Sequence, residues 1–292
     1  MIAAIIGAGR MGRALEYLLQ QENHTIRLFD IEPGKVAAGF SLEEVVKNAD
    51  GIFFCVPSWV MRSALQDMRP WLGSDAVVVS LAKGLERETH LTMGELLAEV
   101  LPAGHSFALL AGPTMAEEIL QGQGSAAVVA TAKRETYDRV ASFFHGTSLR
   151  LEWSDDLRSV AFASVLKNVY ALGLGIFSAL DRGGNDLGYF FSRMMQEMLA
   201  VGHALGVSEK VLMGVAGLGD LVCTGFSPHS RNRQVGEAMV RKGACPSGSE
   251  GCVALPSLFF LLGERRSLAP IAQAIERVVE KQEDAQPAFS KI

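Results

Sequence analysis

Met1-Ile2-Ala3-Ala4-Ile5-Ile6-Gly7-Ala8-Gly9-Arg10-Met11-Gly12 opens the chain. Six residues without polar alternation read as a strand covered on both faces, followed at once by Gly-x-Gly-x-x-Gly and then by a helical pattern over 13–22. In that order the glycines allow a tight turn, close approach of a pyrophosphate and close helix–strand packing, with the helix N-terminus facing the anion. A second strand over 25–30 completes a βαβ unit. Asp30, at its end, stands about twenty residues beyond the loop, where a carboxylate accepts from adenosine ribose hydroxyls and repels a 2′-phosphate. Gly7, Gly9, Arg10, Met11, Gly12 and Asp30 are therefore candidate cofactor residues, and NAD is favoured with NADP as the alternative. Arg10 can pair with a cofactor phosphate or be a solvated surface arginine.

Outward from this unit the α/β rhythm continues. Strands are predicted over 51–56, 76–80, 107–111, 126–131 and 149–153, with helices over 41–48, 58–68, 89–100, 114–121 and 134–144, a pattern that implies a covered parallel sheet. From 157 onward strand signals vanish, and helical spacing runs over 157–180, 189–205, 230–242, 255–263 and 269–281, with glycine-rich loops at 183–184, 217–219 and 245–251 and a frayed end after 283. A sheet domain over 1–155 and an all-helical domain over 156–292 are expected. At 292 residues, with 49% hydrophobic and 20% charged residues, the chain has ample apolar material for two cores.

A net charge of −5 argues against a nucleic-acid surface but leaves room for a local basic pocket. Cys55, Cys223, Cys245 and Cys252 form no Cys-x-x-Cys pair and have no histidine at zinc-ligand spacing, so reduced thiols and no metal are expected. Nothing ahead of the glycine loop reads as a secretory leader, and 160–180 carries Lys167 and Asn168 mid-run, which suits a buried helix rather than a membrane span. A cytoplasmic protein is the expectation.

Three further groups of residues can carry chemistry. Lys83 follows the strand ending at Ser80, at the carboxyl edge of the sheet where open α/β folds bind ligands, although a solvated loop lysine is the alternative. Lys167-Asn168 interrupts an apolar run and must pair internally or face a polar cleft; burial lowers a lysine's proton affinity and suits acid–base work, whereas a lysine snorkelling from a helix edge or neutralised by a buried acid is the alternative. Gly217-Leu218-Gly219-Asp220 precedes Ser230-Arg231-Asn232-Arg233, a carboxylate, hydroxyls and two guanidiniums that suit a phosphate or that merely cap helices.

Taken in order, Gly7 to Gly12, Val56-Pro57-Ser58, Ala82-Lys83-Gly84-Leu85, Gly112-Pro113-Thr114-Met115-Ala116-Glu117-Glu118, Val165-Leu166-Lys167-Asn168-Val169, Gly217 to Val222, Ser230 to Arg233 and Glu250-Gly251 resemble the NAD(P)-dependent glycerol-3-phosphate dehydrogenase family over nearly the whole chain. The resemblance implies a Rossmann doubly wound sheet followed by an all-helical domain like the C-terminal one of 6-phosphogluconate dehydrogenase. It implies reversible hydride transfer between a nicotinamide cofactor and the dihydroxyacetone phosphate/sn-glycerol 3-phosphate pair, feeding phospholipid synthesis. Lys167 would be the general acid/base, with Lys83 and Asp220 beside it. Gly112, Thr114, Asn168, Thr224, Ser230, Arg231 and Asn232 would line the substrate pocket, and Ala116, Lys83, Arg231 and Glu250 would approach the cofactor. A phosphorylated small molecule would be the partner of a homodimer.

Against the family's pattern, the connection over 31–40 is short, Met115 and Glu117 stand where Phe and Lys or Arg are common, and Leu187 replaces an arginine two residues after Asn185. A diverged paralogue acting on another phosphorylated ketone is therefore one alternative. A ketopantoate or 3-hydroxyacyl reductase would share the first loop but not Lys167-Asn168 with Ser230-Arg231-Asn232. A non-catalytic dinucleotide sensor would have no need of Lys83, Lys167 and Asp220.

Overall fold

The computed structural model describes residues 1–36, 39–242, 248–290 and 292. Cys245 and much of the expected loop 245–251 lie outside the described residues, as do two positions of the short connection 31–40. The chain divides into two compact units, Met1–Lys83 with Leu91–Ala161, and Gly84–His90 with Phe162–Ile292.

In the first unit the strands are β1 (Ile2–Ile6), β2 (Thr25–Phe29), β3 (Gly51–Phe54), β4 (Val77–Ser80), β5 (Phe107–Ala111), β6 (Ser125–Ala130) and β7 (Leu149–Ser154). They form one sheet in the order β2-β1-β3-β4-β5-β6-β7. The chain leaves β1 for β2 on one side and then crosses to β3 on the other, which makes the end of β1 the switch point where open sheets bind ligands. Not all of the sheet is parallel: β6 runs antiparallel to β5, and β7 is parallel to β6. An apolar run marks burial on both faces but carries no sign of strand direction, so the reversal had no local signature.

Helix α1 (Arg10–Gln20) begins three residues earlier than its apolar spacing suggests and buries Ala14, Leu15, Leu18 and Leu19 against the sheet. The remaining helices of this unit are α2 (Leu42–Val46), α3 (Met61–Met68), α4 (Met93–Val100), α5 (Ala116–Leu120) and α6 (Arg134–Ser142). Helix α4 starts later than expected because Thr92 and Glu95 close a capping box, while His90 stands in the left-handed region at φ 60°. The core around Leu15, Val79 and Phe53 is finished by Phe143, whose ring meets Phe53 edge-on at 5.2 Å.

The second unit is helical: α7 (Leu157–Ser178), α8 (Gly184–Ala204), α9 (Glu209–Leu212), α10 (Asp220–Phe226), α11 (Arg231–Lys242), α12 (Glu250–Leu262), α13 (Pro270–Val279) and α14 (Ala285–Ala288). Helix α7 is apolar enough to cross a membrane by length and composition, yet its apolar window is entirely buried within the protein. Bare backbone lets neighbours approach it closely. A Cβ on Gly175 would lie 2.2 Å from the Arg233 carbonyl oxygen, and one on Gly236 would lie 2.3 Å from that of Leu172, so α7 and α11 touch main chain to main chain.

Two expectations fail here. Val215–Gly219 is a turn of π-helix running directly into α10, not a loop, and Gly217 fits because its absent Cβ would meet the Leu212 carbonyl oxygen at 2.0 Å. Residues 284–289, within the end expected to fray, are structured: Asp284 caps α14, and Ala285, Ala288 and Phe289 join the core. The segment Gly84–His90 adds Leu85 to that core, and His90 stacks on Phe260 at 3.9 Å while sharing a hydrogen bond of 2.9 Å with Ser257.

Candidate functional site

In the sheet unit the glycine loop is shaped by what a side chain would strike. Gly7 has φ 101°, and a Cβ there would lie 2.8 Å from the Cys55 carbonyl oxygen; a Cβ on Gly12 would lie 1.9 Å from that of Gly7. Gly9 differs, since nothing stands within 4 Å of its missing Cβ. It is also the N-cap of α1 and offers no side-chain acceptor, so the first turn's N–H groups and the positive end of the helix dipole face open space. A pyrophosphate fits such a cradle, which is the test the site must pass to hold a dinucleotide. Beside it lies a cavity of about 190 Å³ lined by Gly7, Asp30, Ile31, Val56, Val60 and Asp67.

Asp30 has a structural task that its spacing did not reveal. Its Oδ2 accepts from the Ala8 N–H at 2.7 Å and its Oδ1 from the Glu32 N–H at 2.9 Å, tying the end of β2 to the loop. Each oxygen keeps a second lone pair for a ribose hydroxyl. Arg10 forms an ion pair with Glu117, in the first turn of α5. Met11 packs against the sheet unit's core and Ala116, at the head of α5, belongs to it.

Lys83, Gly112 and Thr114 converge near the carboxyl ends of β4 and β5. The Lys83 Nζ donates to the Gly112 carbonyl at 2.9 Å, and the Thr114 hydroxyl donates to the same oxygen at 3.2 Å.

In the helical unit, burial of Lys167 excludes snorkelling from a helix edge and leaves the acid–base reading beside that of a lysine neutralised by a buried acid. Its side chain is 5% exposed and that of Asp220 is 3%, with Nζ to Oδ1 at 3.1 Å. Lys167 also donates to the Thr224 Oγ1 at 2.9 Å, and that hydroxyl donates to the Asp220 Oδ1 at 3.0 Å. Asp220 and Thr224 are four residues apart on α10 and so share one face. The three groups close a ring in which a buried charge has its counter-charge and a hydroxyl between them.

One turn along, the Asn232 Nδ2 donates to the Asn168 Oδ1 at 2.8 Å, and the Asn232 Oδ1 accepts from the Gly251 N–H at 3.0 Å. Gly251 can stand there because a Cβ would press to 2.6 Å from the Asn168 carbonyl oxygen. The network joins α7, α11 and the head of α12, where Glu250 is the first residue. Ser230 caps α11 by accepting from the Arg233 N–H at 3.3 Å, leaving Arg231 exposed as the helix's first residue.

Arg233 is no ligand candidate: it donates to the carbonyls of Gly225 and Phe226 and to the Ser178 hydroxyl, and it pairs with Glu237. Cys55, Cys223 and Cys252 are in no disulfide, and burial pushes the Cys55 thiol up to about 12.

Sequence reading missed Glu197 and Tyr170. The buried Glu197 carboxylate accepts from the Ile271 N–H at 2.6 Å, from the Ala272 N–H at 2.8 Å and from the Tyr170 hydroxyl at 3.1 Å. A glutamate inside the apolar pattern of α8 was the available signal. Its partners come from α7 and from the start of α13, far away in the chain.

Residues 156–290 match the family described as NAD-dependent glycerol-3-phosphate dehydrogenase C-terminus, and residues 31–137 match the corresponding N-terminus family. A glycerol-3-phosphate dehydrogenase [NAD(P)+] of Thioalkalivibrio sulfidiphilus is 31% identical over 260 residues, which is 82% of this chain and 78% of that one. One from Mycobacterium avium is 38% identical over 200 residues, 67% of this chain and 57% of the relative. The crystal structure of the Coxiella burnetii glycerol-3-phosphate dehydrogenase superposes with a TM-score of 0.89 at 25% identity, covering 99% of this chain and 98% of that one. A ketopantoate reductase from Ralstonia eutropha shares the fold at a TM-score of 0.62 and 22% identity, covering 97% and 99%.

Proposed function

The chain belongs to the NAD-dependent glycerol-3-phosphate dehydrogenase family, and from that premise we propose that it interconverts dihydroxyacetone phosphate and sn-glycerol 3-phosphate with Lys167 as the proton donor and acceptor. The observation that carries the role of Lys167 is its buried ring with Asp220 and Thr224.

The nicotinamide supplies hydride to the substrate carbon, or accepts it, when NAD(H) or NADP(H) is bound. As charge grows on the carbonyl oxygen, the Lys167 ammonium gives up a proton to it, and in the reverse direction the amine takes that proton back. Asp220 supplies the counter-charge beside the Lys167 Nζ, and Thr224 fixes its direction by accepting one of its N–H bonds. Within the sheet unit, Lys83 is held by the Gly112 carbonyl.

The phosphate is assigned to Arg231, at the N-terminus of the twelve-residue helix α11, where a guanidinium and backbone N–H groups both favour an anion. Asn168 and Asn232 hold each other rigidly beside it. The same reading makes the protein a cytoplasmic homodimer serving phospholipid synthesis, with sedimentation as the test of the assembly.

Following loss of the reduced-nicotinamide absorbance band with dihydroxyacetone phosphate, beside other phosphorylated ketones and 2-keto acids, tests the substrate. Turnover with dihydroxyacetone phosphate is the expected result. Leu187 packs on the helical core where the family's arginine would carry charge. That observation favours one alternative, a paralogue acting on another phosphoketone, and silence with dihydroxyacetone phosphate but turnover with such a compound would establish it.

A further inference from the structure

Three cations stand around the glycine loop and the end of β2, and each already faces a carboxylate. Arg10 is paired with Glu117, Arg13 with Glu16 at 2.8 Å, and Lys35 with Glu32 at 2.8 Å and Asp30 at 3.8 Å. Arg10 differs from the other two. It lies inside the loop itself, at the head of α1, and its partner comes from 107 residues away on α5. The arginine side chain is 64% exposed, whereas the Glu117 side chain is 22% exposed and follows the buried Ala116 in the chain.

We propose that Glu117 tunes cofactor affinity and disfavours NADP(H) by competing with a cofactor phosphate for the Arg10 guanidinium. The inference rests on the dinucleotide-binding reading of the loop. A bound pyrophosphate is met by backbone N–H groups at the head of α1 and does not depend on Arg10. A further phosphate on the adenosine ribose carries about two more negative charges into a region where the Asp30 carboxylate lines the cavity. That phosphate needs cations; Lys35 already stands 3.8 Å from Asp30, and Arg10 in the glycine loop can be recruited only by leaving Glu117. An exposed ion pair is weak enough to exchange, so the pair acts as a bias on affinity and not as a lock.

Fluorescence titration of the full chain with NADH and with NADPH tests the proposal without recourse to turnover, using Glu117→Gln, Arg10→Ala and the double variant. Glu117→Gln is expected to tighten NADPH about threefold to fivefold, the scale of an exposed ion pair, and NADH by less. In the Arg10→Ala background the same substitution is expected to do nothing, because the guanidinium it releases is gone. Equal tightening in both backgrounds would mean simple repulsion by Glu117 and would overturn the competition, as would an unchanged NADPH to NADH ratio in Glu117→Gln. If the parent protein binds neither dinucleotide, the reading of the loop falls together with this proposal; if it binds them and the ratio is unmoved, only the proposal falls.

Discussion

The glycine loop of the sheet unit and the Lys167 ring of the helical unit are built by opposite means. At Gly7 and Gly12 the loop's shape depends on side chains that are absent, since a Cβ on Gly12 would stand 1.9 Å from the Gly7 carbonyl oxygen. Around Lys167 the arrangement depends on three buried polar side chains that partner one another. An empty backbone cradle is specified by local geometry and tolerates many surroundings. A buried charge is tolerable only where helices from elsewhere in the chain bring its counter-charge.

The largest expected effect breaks the second of these sites. Lys167→Ala lowers kcat by about two to four orders of magnitude, the scale of a lost acid–base group, while NADH binding by fluorescence stays near that of the parent. Because the single variant strands the Asp220 carboxylate, Lys167→Ala/Asp220→Asn is the companion: it recovers thermal stability and stays inactive. Unchanged turnover in Lys167→Ala would remove the residue from the mechanism.

Two glycines in the first site separate loop shape from ligand room. Gly12→Ala forces main chain against main chain and is expected to cost about 3 kcal/mol, seen as a lower melting temperature together with NADH affinity reduced by about a hundredfold. Gly9→Ala meets nothing within 4 Å, so its melting temperature stays near that of the parent while NADH binding weakens. Equal melting temperatures for the two variants would show that the loop relaxes around Gly12.

Arg231→Ala sharpens the comparison at the exposed head of α11. Loss of one charge-assisted phosphate contact, about 2 kcal/mol, raises the substrate KM about thirtyfold with little change in stability. A lower melting temperature at unchanged KM would make Arg231 a structural residue.

The smallest effect concerns Glu197, whose carboxyl burial pushes up to about 7 although the Ile271 and Ala272 N–H groups, the Tyr170 hydroxyl and Arg193 pull it down. A carboxyl raised in the folded state binds its proton more tightly there than when unfolded. Its contribution to stability is therefore full below the ordinary carboxylate range and is lost as pH rises towards about 7, levelling above that. The melting temperature of Glu197→Gln should lack this decline; a slope identical to that of the parent would assign it to other groups.

The first unit was legible because its signals are short-ranged. A six-residue apolar run, three glycines at fixed offsets and an acid after the second strand lie within thirty residues. The antiparallel turn of β6 was not legible, because direction in a sheet is decided by neighbours. In the helical unit Lys167 and Asn168 stood out as polar breaks in an apolar run, yet the ring needs Thr224, which entered only through the family resemblance. Arg233 looked like Arg231's equal and proved to be a clamp on the end of α10.

By itself the sequence determined which residues are chemically unusual: glycines where a backbone must be bare, a lysine where apolar residues should be, and an arginine at a helix start. Those are properties of single residues and their near neighbours, governed by chirality and by the cost of burying charge. Only the tertiary structure decided which unusual residues meet. It joined Lys167 to Asp220 and Thr224, Asn168 to Asn232 and Gly251, Arg10 to Glu117, and Asp30 to the Ala8 N–H. Such pairings come from strand order and from how closely helices pack, quantities summed over the whole core and written in no local stretch of chain.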